Sequence, residues 1–301
     1  MVTVNQRVGV PQAHVINGVD AGGAMTAVIS AGFDNIMRSS PDGLQVPVKD
    51  KEAQYVRGTI VTQDWVDALN ILAGALGTYI FYERKSGVAE AAGYIKHTIT
   101  NPVIDRLTIN QSKGGYMTVS FSFECKAADE TKTIADMWGL LDEQAAPTYI
   151  SAARGGWRAV STVHGAENIY HLLSFDFTLT LPLVKACNDA DIGYTCVDAR
   201  LDGLTAAGSL NFQDSSITPV TLELLCQKLL LAAEADLVIT LKQSQGAADK
   251  VITIANVDFN NTSSNSDVNA PFTNYTAAFD VANDPDVPLT LEGTNKIIAI
   301  A

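Results

Sequence analysis

The chain has 301 residues, 47% of them apolar and 18% charged, with 33 acidic against 20 basic residues and a formal net charge of −13. That composition predicts a folded core and argues against general disorder. The acid excess excludes non-specific binding to a nucleic-acid backbone and argues against anionic membranes, since both need clustered Lys and Arg.

Residues 1–12 carry no basic region followed by an apolar stretch, so no signal peptide is expected. The glycines of residues 18–23 lack a following helix that could cradle phosphate and read as turns. Residues 32–52 are polar, contain Ser39-Ser40-Pro41-Asp42-Gly43, and read as a long loop linking an early strand to Tyr55. Loops of that length are usually functional or disordered. A helix is predicted from Asp64, whose carboxylate suits the N-cap. Trp65, Leu69, Leu72 and Leu76 then share one face, and Gly77 stops it.

Beyond Gly77 the period changes to two. Residues 78–84, 94–100 and 103–111 read as strands, and Ser112-Lys113-Gly114-Gly115 reads as a hairpin turn into a strand over 116–123. A linker is predicted near residues 143–158, where Pro147, Gly155 and Gly156 interrupt the pattern. The second half gives strands over 171–181, 237–241, 251–257 and 273–281. Its helix starts near Thr218, with Pro219 at the first helical position and Leu222, Leu225, Cys226 and Leu229 on one face; Leu230 and Leu231 widen the apolar surface. The longest apolar region, 220–241, is broken by Glu223, Gln227, Lys228, Glu234 and Asp236 and cannot span a membrane. Residues 288–291 and 297–300 are apolar enough to be strands. Such an end should dock on its own domain or on a neighbour.

The two halves echo each other at a spacing of roughly 150 to 158 residues. Gly58-Thr59-Ile60-Val61-Thr62-Gln63-Asp64 matches Gly208-Ser209-Leu210-Asn211-Phe212-Gln213-Asp214, and a helix candidate follows each. Thr98-Ile99-Thr100-Asn101 matches Thr253-Ile254-Ala255-Asn256, and the strand over 116–125 matches that over 275–281. The expected fold class is mainly β (α+β): two tandem antiparallel sandwich or barrel domains, 1–150 and 151–301, each with one packed helix.

No catalytic, cofactor-binding or metal-binding residue is predicted, and no cofactor. His14, His97, His164 and His171 form no H-E-x-x-H or H-x-H pattern and read as core or surface histidines. There is no G-x-S-x-G and no G-x-x-x-x-G-K-[ST], so neither a nucleophile elbow nor a P-loop is supported. Asn188-Asp189-Ala190-Asp191-Ile192-Gly193 opens like a calcium loop but lacks the downstream Glu. Cys125, Cys187, Cys196 and Cys226 form no C-x-x-C pair. They read as free, mostly buried thiols, with a Cys187–Cys196 bridge as the alternative. Arg84-Lys85 and Arg154 with Arg158 are too sparse for a nucleic-acid patch.

The layout carried by residues 55–123, and again by 208–281, resembles the tail-tube proteins of long-tailed bacteriophages and their secretion-system and baseplate-hub relatives. The resemblance implies a non-enzymatic virion protein. Single-copy members form six-membered rings around a lumen, so a duplicated chain implies a pseudo-hexameric homotrimer that stacks into a tube. It also implies the other tail proteins as partners (tape measure, terminator, baseplate), transient passage of DNA without specific binding, and no membrane. Its expected place is the virion tail, assembled in the host cytoplasm. In the family the long loop between early strands reaches the next ring. Residues 32–52 hold that place in the first half, and 184–205, less obviously an arm, in the second. The alternatives are a hub or distal adaptor with duplicated tube-like domains, and a ligand-binding β-sandwich. The latter should show an exposed aromatic cluster, whereas Trp65, Trp138 and Trp157 are scattered in sequence.

Overall fold

A computed structural model of the chain describes residues 7–16, 19–20, 24–38, 48–63, 65, 69, 78–85, 93–127, 133–143, 157–187, 195–199, 203–213, 222–243, 249–265, 273–282 and 296–301. It is mainly β, with antiparallel pairing throughout the described strands.

The first half runs β1 (Arg7–Ile16), β2 (Val19–Asp20), β3 (Ala24–Arg38), β4 (Val48–Thr62), β5 (Thr78–Lys85), β6 (Tyr94–Thr100), β7 (Pro102–Ser112), β8 (Thr118–Cys125), a short helix α1 (Ile134–Met137) and β9 (Trp138–Glu143). The second half runs β10 (Trp157–His164), β11 (Glu167–Asn168), β12 (Leu172–Thr180), β13 (Leu183–Cys187), β14 (Thr195–Ala199), β15 (Thr205–Gln213), α2 (Leu222–Leu231), β16 (Ala235–Gln243), β17 (Lys250–Asn265), β18 (Asn274–Val281) and β19 (Ile298–Ile300).

Five strands form one sheet in the order β2-β1-β5-β6-β9. A larger sheet runs β11-β10-β16-β17-β18-β15-β12-β7-β8-β4-β3, with β19 also on β17. Alternation explains which face is buried. On β7 Leu107, Ile109 and Gln111 are buried, while Arg106, Thr108 and Asn110 are not. On β8 Val119, Phe121 and Phe123 point inward, as do Phe175, Phe177 and Leu179 on β12, Leu210 and Phe212 on β15, and Ala277 and Phe279 on β18. Tyr79 of β5 meets Phe123 of β8 at 6.2 Å, edge to face, and so ties the two sheets into one core.

Several expectations hold within a residue or two, including 94–100 for β6, 103–111 for β7 and 273–281 for β18. Residues 297–300 dock on the chain's own β17. Ile252 pairs with Ile300, and Ile297 is fully buried. Of the first predicted helix only Trp65 and Leu69 are described; both are helical and buried. The second is helical over Leu222–Leu231 with Leu225, Cys226 and Leu229 buried, and Leu231 is 86% exposed. Its predicted start at Thr218 lies outside the described residues, as do 288–291 and the linker residues 144–156.

Residues 32–52 are not simply a loop. β3 and β4 stay paired out to Arg38 opposite Val48, so the segment is a two-stranded arm whose tip, 39–47, lies outside the described residues. The loop reading failed because neither strand of the arm carries the apolar alternation that marks a core-facing strand. The 184–205 segment likewise contains the β13–β14 hairpin, Leu183 opposite Ala199. The helix α1 and the strand β9 were not expected. Trp65 and Trp157 meet edge to face at 5.3 Å as buried residues, while Trp138 packs apart from them against His97.

Candidate functional site

Two features stand out as surfaces rather than pockets: an open polar sheet face and two unpaired sheet edges. The polar face belongs to the run β17-β18-β15-β12-β7-β8-β4-β3, on the side opposite the core. It follows from the same alternation, because the residues between the buried ones are mostly Ser, Thr, Asn and Asp. They bond to each other across strands. Asn211 donates to Ser174 at 2.9 Å and Thr276 to Asn211 at 2.6 Å, which links three strands in one row. Ser209 donates to Asp176 at 2.5 Å, and Thr108 meets Thr178 at 3.4 Å. Ser122 donates to Asp105, and Asn260 to Asp280. Such pairs contribute a few tenths to about 1 kcal/mol each and hold the polar side chains flat.

This face is net acidic. Its described side chains include Asp105, Asp176, Asp258 and Asp280 against Arg57 and Arg106. Asp258 and Asp280 are opposite each other in the ladder and both are exposed. The Arg57 guanidinium lies over the Tyr55 ring at 3.7 Å, a cation–π contact that holds it against its own strand.

A corner recurs on this sheet. β6 passes into β7 at Asn101, φ 49°, and β17 bends at Asn256, also φ 49°. Asn tolerates this left-handed geometry better than other non-glycine residues. Each carbonyl accepts from the residue just past the neighbouring strand: Lys126 N–H to Asn101 at 2.9 Å, Ala282 N–H to Asn256 at 2.8 Å. Three residues beyond each corner the register shifts by a bulge, between Ile104 and Arg106 and between Phe259 and Asn261. The glycines correspond as well. Gly58 pairs with Phe123 and Gly208 with Phe279, and each ring covers its glycine. Neighbour order matches too: β3-β4-β8-β7 against β12-β15-β18-β17, and β2-β1-β5-β6-β9 against β11-β10-β16-β17-β19.

The two sets of four meet inside the chain. β7 pairs with β12 from Ser112 opposite Ser174 to Arg106 opposite Thr180. At the far ends, among the described residues, the outer edge of β3 and that of the second part of β17 (258–265) pair with nothing.

Elsewhere, two of the histidines are buried. Trp138 Nε1–H donates to His97 Nδ1 at 3.1 Å, Glu83 lies 3.2 Å from His97 Nε2, and Phe81 stacks on the ring at 4.1 Å, which ties β5, β6 and β9 together. His164 is buried, with Nε2 2.9 Å from the Val257 carbonyl. His171 is exposed at φ 51° and His14 lies on β1 opposite Phe81. Burial pushes the Cys125 thiol up to about 12, helped by the Glu124 charge, and raises the Tyr79 phenol well above its ordinary value. Cys125 and Cys226 are buried and are not disulfide-bonded to each other. In the β13–β14 ladder Cys187 stands opposite Thr195 and Cys196 opposite Ala186, not opposite each other. The 188–193 segment lies outside the described residues. Among the described residues no group of three His, Cys, Asp or Glu is placed to hold a metal ion, and no helix is long and apolar enough to cross a membrane.

Sequence reasoning quoted Asn101 and Asn256 as an echo but missed the corner they make, and it ended β17 at 257. The signal for the extension was the Asn260–Asn261 pair at the bulge, which is polar and so does not read as strand. No protein-family model matches the chain, and no curated protein matches it in sequence.

Proposed function

We propose that the chain is two tandem copies of one β domain, 1–150 and 151–301, and that it is a structural subunit of a phage-type tail tube. Three chains close a pseudo-hexameric ring, rings stack head to tail, and DNA passes through the lumen without specific binding. The tape-measure, terminator and baseplate proteins are its partners in the virion tail.

The observation that carries this reading is the recurring corner: a left-handed Asn, the backbone bond to its carbonyl, the bulge beyond it, and a ring-covered glycine, all in the same places in both halves. One such coincidence could arise by chance. Four in a shared order are the expected result of a duplicated domain. The net-acidic polar face supports the lumen assignment, since fixed carboxylates repel phosphate and leave passing DNA unbound. The two arms, one per half, suit contacts with the next ring.

Electron microscopy and sedimentation of the purified protein test the reading. Rings and stacked tubes are expected. Rings that never stack would favour a hub or adaptor, and a monomer at every concentration would overturn the assembly.

A further inference from the structure

We infer that the groove at the seam between the two halves binds a primary alkylammonium group, with the Asp176 carboxylate as its counter-charge and the Tyr116 ring against its methylene stem. The site lies within one chain and does not depend on the proposed assembly.

Three adjacent strands build the groove. β7 pairs with β8 on one edge and with β12 on the other. Asn110 stands opposite Thr118 on one side and opposite Asp176 on the other, and Ser112 stands opposite Ser174. Residues directly opposite in an antiparallel ladder share a face. Here it is the polar face, because Ile109, Gln111, Phe175 and Phe177 between them are buried. Met117 is buried too, so alternation carries Tyr116 out to the same side. Together these outward side chains line an open groove of about 320 Å³.

The lining selects the ligand. Asp176 is its one charged residue, and no Lys or Arg lines it. Ser209 donates to Asp176 Oδ1 at 2.5 Å, and among the described residues no ion pair neutralises the carboxylate. A carboxylate accepts at both oxygens, so acceptor capacity remains. Ser174 accepts from Asn211 at 2.9 Å, which fixes its hydroxyl oxygen beside the carboxylate. Tyr116 is 52% exposed and, among the described residues, makes no ring contact of its own. An alkylammonium brings three N–H donors and a compact positive charge on an apolar stem. Its donors take the carboxylate and the neighbouring hydroxyl and amide oxygens, while the ring face attracts the cation and covers the stem. A divalent metal ion fits less well, since it draws on several hard oxygen ligands and the groove supplies a single carboxylate. An anion is repelled by that same carboxylate.

Calorimetric titration of the full chain with putrescine (1,4-diaminobutane) tests the site. It is done at about 0.15 M salt, where attraction between distant surface charges is largely screened. One site per chain is expected, and 1,4-butanediol, which has the stem without the charge, should not bind. Asp176→Asn should weaken putrescine binding about tenfold or more. Tyr116→Ala leaves the charge unchanged and should weaken it roughly three- to fivefold, and Tyr116→Phe should recover most of that loss. Asp258→Asn with Asp280→Asn removes charge elsewhere on the face and should change the affinity less than about twofold. N-acetyl-lysine amide separates two sources of the same group: binding as tight as putrescine points to a Lys side chain, weaker binding to a free diamine. No uptake of putrescine by the unchanged protein, or a Tyr116→Ala variant that binds as the unchanged protein does, would overturn the site. So would an equal loss from Asp176→Asn and from the remote pair, which would reduce the binding to general attraction by an acidic surface.

Discussion

Gly58 and Gly208 make the sharpest single-residue case, because their neighbours leave no room for a side chain. A methyl group at Gly58 would lie 2.7 Å from the Val28 carbonyl and 2.8 Å from the Phe123 ring; at Gly208 it would press on the Asp176 carbonyl and the Phe279 ring. Backbone carbonyls inside a ladder cannot move aside as a flexible side chain can. Gly58→Ala and Gly208→Ala should therefore each cost about 2–3 kcal/mol, read as a lower urea midpoint at unchanged slope. The corner asparagines predict the opposite contrast. Asn101→Gly should be nearly neutral and Asn101→Ala should lose about 1 kcal/mol, since alanine pays the left-handed penalty that glycine avoids. Cys125 adds a pH dependence. Its folded value is raised from 9.0 to about 12, so the unfolded chain ionises first as the solution becomes alkaline. Its contribution is constant below about pH 9 and is lost as pH rises from 9 toward 12. A pH series of urea melts should show this alkaline loss, and it should be shallower in Cys125→Ala.

At the scale of elements, a strand was legible in the sequence where one of its faces meets the core. β6 was placed to the residue, and β7 and β18 nearly so, because Leu107, Ile109, Ala277 and Phe279 alternate with polar neighbours. β9 was missed because Leu140 and Leu141 are adjacent and both more than half exposed, so Trp138–Glu143 has no period-two signature. The outer parts of β3 and β4 were missed for a related reason: among the described residues they pair only with each other, and pairing by backbone leaves no trace in side-chain pattern. Of the candidate site, the acidity was legible and the edges were not, because an edge is defined by what is absent beside it. The arm makes its own prediction. Replacing residues 36–50 with a two-residue Asn-Gly turn keeps the pairs from Gly32 inward. Rings should persist in micrographs while stacked tubes disappear; tubes of normal length would show that the arm does not bridge rings.

At the scale of the whole molecule, the proposal joins two properties that the single chain leaves apart, its acid excess and its open sheet. A net charge of −13 spread evenly would serve only solubility. Placed on the polar face of a closed ring, the same carboxylates would line a channel, where low-dielectric walls strengthen repulsion of phosphate. Asp258 and Asp280 are the residues to change, since both are exposed and neither lies in the core. Asp258→Lys with Asp280→Lys alters the charge by four units per chain, and in a ring of three chains that becomes a cationic belt. Tubes of this variant should retain short double-stranded DNA at low salt and release it as salt rises, the signature of counterion release. Tubes of the unchanged protein should retain none under the same conditions. If the variant assembles normally and still binds no DNA, the polar face does not line a DNA path, and the acid excess is a matter of solubility alone.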